Sequence, residues 1–167
     1  MVSVNEIDAI RFELERTQST AVVARKKRQD RVLEFDIELY YSLLQKYRGS
    51  ERPFEEILLS HFGDYRTTSA DYFELIGNLL DDHLTSQSLI VDVGAGTGRL
   101  SRFLSSRYKT ISVHALDKMP NSVTLINEIS ARENFPVRAH VLDFNDADFE
   151  LPQNGFIVTS YSNVFNF

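Results

Sequence analysis

Three glycines at alternate positions, Gly94, Gly96 and Gly98, follow an apolar run that contains a carboxylate, in 89-LIVDVGAGTGRLSRFL-104. Glycines at this spacing let the backbone take positive φ and let a ligand approach the chain closely. At a strand-to-helix turn that is how a nucleotide-like molecule is held. Pyrophosphate-binding loops of this kind read G-x-G-x-x-G, with the phosphates on the helix N-terminus. Counted from Gly94 and Gly96, the sixth position here is Arg99. That pattern needs a small residue there for helix–strand packing. Asp92 stands just ahead of the loop, where a carboxylate repels a pyrophosphate and suits a ligand carrying an ammonium group. Asp117 closes a second apolar run, where a carboxylate accepts both hydroxyls of a ribose.

Groups so far apart in the chain meet only if strands end side by side. The second half has the rhythm to do this. Strand 89-LIVDV-93 leads to a helix from about Gly98 to Tyr108. Strand 111-ISVHALD-117 leads to a helix from Pro120 to about Glu133. Strands 137-VRAHVLDF-144 and 156-FIVTSYS-162 follow. Alternation of this kind predicts right-handed βαβ units and a parallel sheet, with ligands at the carboxyl ends of the strands. Residues 1 to about 85 read as helical, with apolar residues three and four apart, such as Leu39, Tyr40, Leu43 and Leu44. Arg48-Gly49-Ser50 breaks one helix, Pro53 suits the start of 54-FEEILLSHF-62, and Gly63 suits its end. Thr68 or Ser69 is placed to cap 70-ADYFELIGNLLDDHL-84. Two parts are therefore expected, a helical extension or lid over 1–85 and an α/β core over 86–167.

The chain has 167 residues, the size of one typical domain, with 43% hydrophobic and 25% charged residues, which describes a folded rather than a disordered protein. A net charge of −6 argues against a nonspecific nucleic-acid footprint, which needs a basic surface. The basic run 25-RKKRQDR-31 is followed at once by Glu34, Asp36 and Glu38 and reads as a solvated helix face rather than a phosphate patch. There is no cysteine, which rules out disulfides and thiolate sites. No His/Asp/Glu cluster has metal-ligand spacing. No apolar run approaches a membrane span, and MVSVNEIDAIRFELE lacks the apolar core of a signal peptide. A cytoplasmic protein is expected.

D-x-G-x-G-x-G, with the strands and acids that follow it, resembles motif I of the class I S-adenosylmethionine-dependent methyltransferases over residues 86–167. The resemblance implies a Rossmann-like α/β fold whose parallel sheet runs 3-2-1-4 and is preceded by the helical region. It implies S-adenosylmethionine as cofactor and S-adenosylhomocysteine as product. Gly94, Gly96 and Gly98 would let backbone approach the methionine moiety, with Asp92 supporting its amino group directly or through a water. Asp117 would hold the ribose and Met119 would pack on the adenine. Asp143 would accept from the adenine amine, with Phe144 adding backbone and ring contacts. Ser160 and Tyr161 would close the methionine side.

The resemblance names no universal catalytic residue. After the fourth strand stands 160-SYSN-163 rather than the Asn/Asp-Pro-Pro-Tyr of amide- and base-modifying members, so it implies a small-molecule acceptor rather than a nucleobase. Tyr40, Tyr41, Tyr47, Tyr65, Arg66, Tyr72 and His61 are available to such an acceptor, although tyrosines at helical spacing also serve as half-buried core and a lone histidine as structure. A full class I sheet has seven strands, and this sequence reaches the fourth. The expectation is a fragment, a split enzyme completed by a second chain, or a self-associating minimal domain. In each case a homo-oligomer or second chain covers the fourth-strand edge. A non-catalytic subunit that completes a partner is the competing function, and a nicotinamide-dependent oxidoreductase a third.

Overall fold

The computed structural model describes Glu34 and residues 37–62, 65–143 and 155–159. From Ile37 onward these belong to one compact unit, Ile37–Asn166; a second, Met1–Asp36 with Phe167, contributes only the exposed, helical Glu34. The basic run at 25–31, Gly63, Phe144, Ser160 and Tyr161 lie outside the described residues.

The elements run α1 (37–48), α2 (Phe54–Phe62), α3 (Tyr65–Asp81), β1 (Leu89–Val93), α4 (Arg99–Arg107), β2 (Ser112–Asp117), α5 (Pro120–Glu133), β3 (Val137–Val141) and β4 (Gly155–Thr159). The four strands form one parallel sheet in the order β3-β2-β1-β4, the order expected. Side chains alternate across it because successive strand residues point to opposite faces. Ile90, Val113, Ala115, Val137 and Ala139 pack with Leu100 and Leu104 of α4 and Val123 and Ile126 of α5. Val91, Val93 and Leu116 form the core of the other face, with Leu89 and Leu142 beside them. Among the described residues no helix is long and apolar enough to cross a membrane.

One strand boundary moves from its expected position for a reason of pairing. β3 ends at Val141 rather than 144 because its partner β2 ends opposite, at the Asp117–Val141 pair. β4 is described over Gly155–Thr159, paired with β1 as far as Thr159 and Val93, and its expected continuation to 162 lies outside the described residues. α3 starts at Tyr65 and runs straight through Thr67, Thr68 and Ser69, so the expected cap at 68–69 is not one. Serine and threonine are only mildly disfavoured inside a helix, and the packed positions Phe73, Ile76 and Leu80 hold the element in place.

The helical region is tied to the α/β core by named contacts. Tyr47 donates to Glu133 Oε1 at 2.9 Å, and the Phe54 amide donates to the same oxygen at 2.6 Å. Arg132 caps α1 by donating to the Tyr47 carbonyl at 2.8 Å, while Arg48 reaches Glu128 on α5 at 2.9 Å. Further along, Arg107 and Tyr108 bind Asp81, and Tyr108 also donates to the Gly77 carbonyl at 2.7 Å, docking α3 on α4.

Candidate functional site

All four strands deliver their carboxyl ends to one edge, and among the described residues Gly94, Gly96, Gly98, Asp117 and Met119 stand there. Strand order reverses between β1 and β4, so the crevice beside β1 is where a parallel sheet holds a ligand. The loop leaving β1 is built from left-handed glycines: Gly94, Gly96 and Gly98 have φ of 68°, 56° and 73°. Alternating positive φ coils the chain tightly before α4 begins at Arg99. A methyl group on Gly98 would stand 2.8 Å from Ile126 Cγ1, so the loop also needs glycine to lie against α5.

The loop's amides are spoken for within the protein. Gly94 and Ala95 donate to the Leu116 carbonyl at 2.8 and 3.1 Å, and Gly98 donates to Ala95 O at 2.8 Å. Gly96 donates to Asp117 Oδ2 at 2.8 Å. A phosphate cradle works by aiming such amides at the ligand, and these four are turned to the protein's own oxygens instead.

Asp117, 8% exposed, is the hub of the edge. Its Oδ1 accepts from the Met119 amide at 2.9 Å while Oδ2 holds Gly96. A carboxylate has about four lone-pair sites, and these two amides take two of them. Burial pushes its pKa up, opposed by the hydrogen bonds from Met119, Gly96 and Ser122. Met119 is buried and precedes Pro120, the first residue of α5. The Leu142 amide donates to the Asp117 carbonyl at 3.0 Å, and this brings half-buried Asp143 to the same edge.

Asp92 sits deeper than its place in the sequence implies. It is fully buried and accepts from Ser101 Oγ on α4 at 2.5 Å, so the carboxylate lies beneath the loop. Among the described residues of the helical region, Tyr40 reaches the site. Only 5% exposed, its hydroxyl lies 3.2 Å from where a Cβ on Gly96 would stand. Tyr47 is core, its phenol pushed up to about 12 by burial and by Glu133. Tyr41 is exposed, Tyr72 is half-buried against Phe73, and exposed His61 pairs with Lys46 at 3.0 Å. The side chains of Tyr65 and Arg66 lie outside the described residues.

Sequence reasoning missed Ser122, Arg102 and Glu55. Ser122 donates to the Gly96 carbonyl, so the loop is held from α5 as well as from Asp117. Its signal was a hydroxyl two residues after the proline that opens a helix. Arg102 is 6% exposed and donates to the Thr97 carbonyl at 2.6 Å. Glu55 on α2 takes Arg99 Nη2 at 2.5 Å and lies 3.8 Å from Arg102 Nη2. The signal for that pair was two arginines in the first turns of α4, where the helix dipole disfavours cations and a carboxylate from elsewhere must offset them.

A family model described as "Methyltransferase domain" matches residues 90–167. No curated protein matches the chain. Among solved structures, coclaurine N-methyltransferase bound to N-methylheliamine and SAH aligns at 20% identity and a TM-score of 0.43, over 52% of this chain and 26% of that one. A TehB-like SAM-dependent methyltransferase from Corynebacterium glutamicum aligns at 19% identity and a TM-score of 0.48, over 74% and 55%. Geranyl diphosphate C-methyltransferase from Streptomyces coelicolor aligns at 18% identity and 0.46, over 60% and 37%. The chain thus spans between 26% and 55% of the length of these structures. The family match starts inside β1 and takes in the glycine loop and Asp117, so it is this part of the chain, with its sheet order β3-β2-β1-β4, that is similar to methyltransferase domains.

Proposed function

We propose that this protein is a cytoplasmic S-adenosylmethionine-dependent methyltransferase, or the cofactor-binding part of one, acting on a small-molecule acceptor. The observation that carries this is the Gly96–Asp117 junction: a left-handed glycine platform whose central amide is held by a buried carboxylate at the switch point of the sheet. The donor set fits the cofactor. It offers carboxylates to a diol and an ammonium, and the amides of Gly94, Ala95, Gly96 and Gly98 are taken by the protein's own oxygens rather than left for a pyrophosphate.

S-Adenosylmethionine supplies an electrophilic methyl group on a sulfonium. Around it, Asp117 would hold the ribose hydroxyls and Met119 would pack beside the adenine, with Asp143 accepting from the adenine amine and Phe144 adding contacts. Gly94, Gly96 and Gly98 would line the methionine moiety, with Asp92 acting from beneath the loop and Ser160 and Tyr161 from the end of the fourth strand. Tyr40 would close the loop from the helical side and shield it from water. Methyl transfer is an in-line displacement, and well-aligned reactants gain about 7–11 kcal/mol from orientation alone, so no dedicated acid or base is required of the chain. Supporting a small acceptor is the net charge of −6, which disfavours nucleic acid. The lack of cysteine supports a reducing compartment. A second copy or chain along β4 would cover its outer edge.

Calorimetric titration tests the assignment. S-Adenosylhomocysteine binds and NADH does not, and Asp117→Ala weakens the first by at least about tenfold, the loss of one charge-assisted hydrogen-bond set. Equal affinity of wild type and variant refutes the role of Asp117; binding of NADH alone refutes the cofactor.

A further inference from the structure

We propose that Arg102 is a positioning residue for the cofactor loop, through which the docking of α2 sets the loop's shape. The inference rests on the methyl-donor reading of the loop for its effect on binding, and on the geometry alone for its effect on the loop. Thr97 sits between Gly96 and Gly98, and its carbonyl is the acceptor that Arg102 Nη1 takes at 2.6 Å. Holding that oxygen inward fixes the peptide plane between Thr97 and Gly98. The Gly98 amide is then aimed at Ala95 O, 2.8 Å away, and Gly98 keeps its φ of 73°. A flipped plane would turn the carbonyl toward the ligand face and break the turn.

Arg102 does not hold this position by its own helix. It projects from the second turn of α4, where the dipole repels a cation, and it is buried. Burial lowers its pKa to about 10, with Glu55 the leading opposing charge. What keeps the guanidinium there comes from α2. Its Cζ stands 5.1 Å over the Phe54 ring, and Nη2 lies 3.8 Å from Glu55 Oε2. The start of α2 is in turn pinned to α5 through the Phe54 amide and Glu133 at 2.6 Å. A chain of contacts therefore runs from Glu133 through Phe54 and Glu55 to Arg102 and the loop carbonyl. Buried hydrogen-bonded charges of this kind lose heavily when one partner is removed.

The test compares Arg102→Gln, Arg102→Lys, Glu55→Gln and the double variant R102Q/E55Q by S-adenosylhomocysteine titration and by amide exchange at Gly96–Arg99. R102Q weakens binding about tenfold, within the usual range for coupled sites, and speeds exchange of the loop amides. R102K, which keeps the charge but cannot fork between Thr97 and Glu55, recovers part of both. E55Q has a smaller effect than R102Q, and the double variant is no worse than R102Q alone, because Glu55 acts through Arg102. Ile129→Val, a destabilising change in α5 away from the loop, leaves affinity and loop exchange unaltered. Wild-type affinity and exchange in R102Q overturn the proposal, as does an additive double variant. Should R102Q not fold, R102K and E55Q decide by the same readings, wild-type values in both being the refuting result. Should the wild type fail to bind S-adenosylhomocysteine, the cofactor assignment fails, and loop exchange in R102Q still decides the role of Arg102.

Discussion

Gly98→Ala separates a loop that needs glycine for its backbone from one that merely tolerates a small residue. Two costs are legible. At φ 73° an alanine enters the left-handed region, a penalty of about 1–2 kcal/mol. Its methyl group would then stand 2.8 Å from Ile126 Cγ1 and 3.2 Å from Cγ2. Ile126 is fully buried on α5 and has nowhere to swing; overpacking of this kind adds about 1–3 kcal/mol. The sum is about 2–5 kcal/mol, read by urea unfolding. Gly77→Ala is the control. Its new methyl meets the tip of Arg107 at 2.9 Å, a flexible group that moves aside. Alanine inside a helix is favoured over glycine by about 1 kcal/mol, so G77A stays within about that much of wild type. Adding Ile126→Ala to G98A removes the clash but not the strain. The double variant therefore loses less than the sum of the two singles, by about 1–3 kcal/mol. A G98A protein no less stable than G77A refutes the reasoning, and strict additivity with I126A refutes the clash.

Tyr47→Phe removes the bond to Glu133 but leaves that carboxylate its second donor, the Phe54 amide. The expected loss is about 1–2 kcal/mol in denaturant unfolding, and an unchanged midpoint would show that α1 is held by packing alone. Ser101→Ala takes a hydroxyl from buried Asp92 and costs about 1–3 kcal/mol; a neutral effect would mean that other donors satisfy the carboxylate fully. For Asp117, burial raises the folded-state pKa above the ordinary aspartate value. Its contribution to stability is then present below that ordinary range and is lost as pH rises through the raised folded value. The stability of wild type minus that of Asp117→Asn, measured without ligand, falls across this window, and a flat difference would contradict the shift.

The cofactor loop was legible because its information is local. Alternate glycines after an apolar strand, an acid ahead of them and Arg99 in the sixth place constrain backbone conformation and charge within a dozen residues. The strands and α5 were legible for the same reason: period-2 burial and Pro120 at a helix start are written in the neighbouring residues. Strand ends were less so. β3 stops where its partner β2 stops, and a partner is a property of the sheet.

Residue types and their spacing in the sequence determined the parallel sheet, the glycine loop and the carboxylates at its edge. Tertiary structure decided what those carboxylates touch. Asp92 faces α4 rather than open solvent, and Asp117 gives its first two bonds to the protein's own amides. Tyr40, over fifty residues upstream, lands on Gly96, and Arg102 answers to Glu55 and Phe54. None of these follows from local periodicity, because burial and pairing depend on which distant side chain fills the space, and only the packed α2–α4–α5 layer settles that.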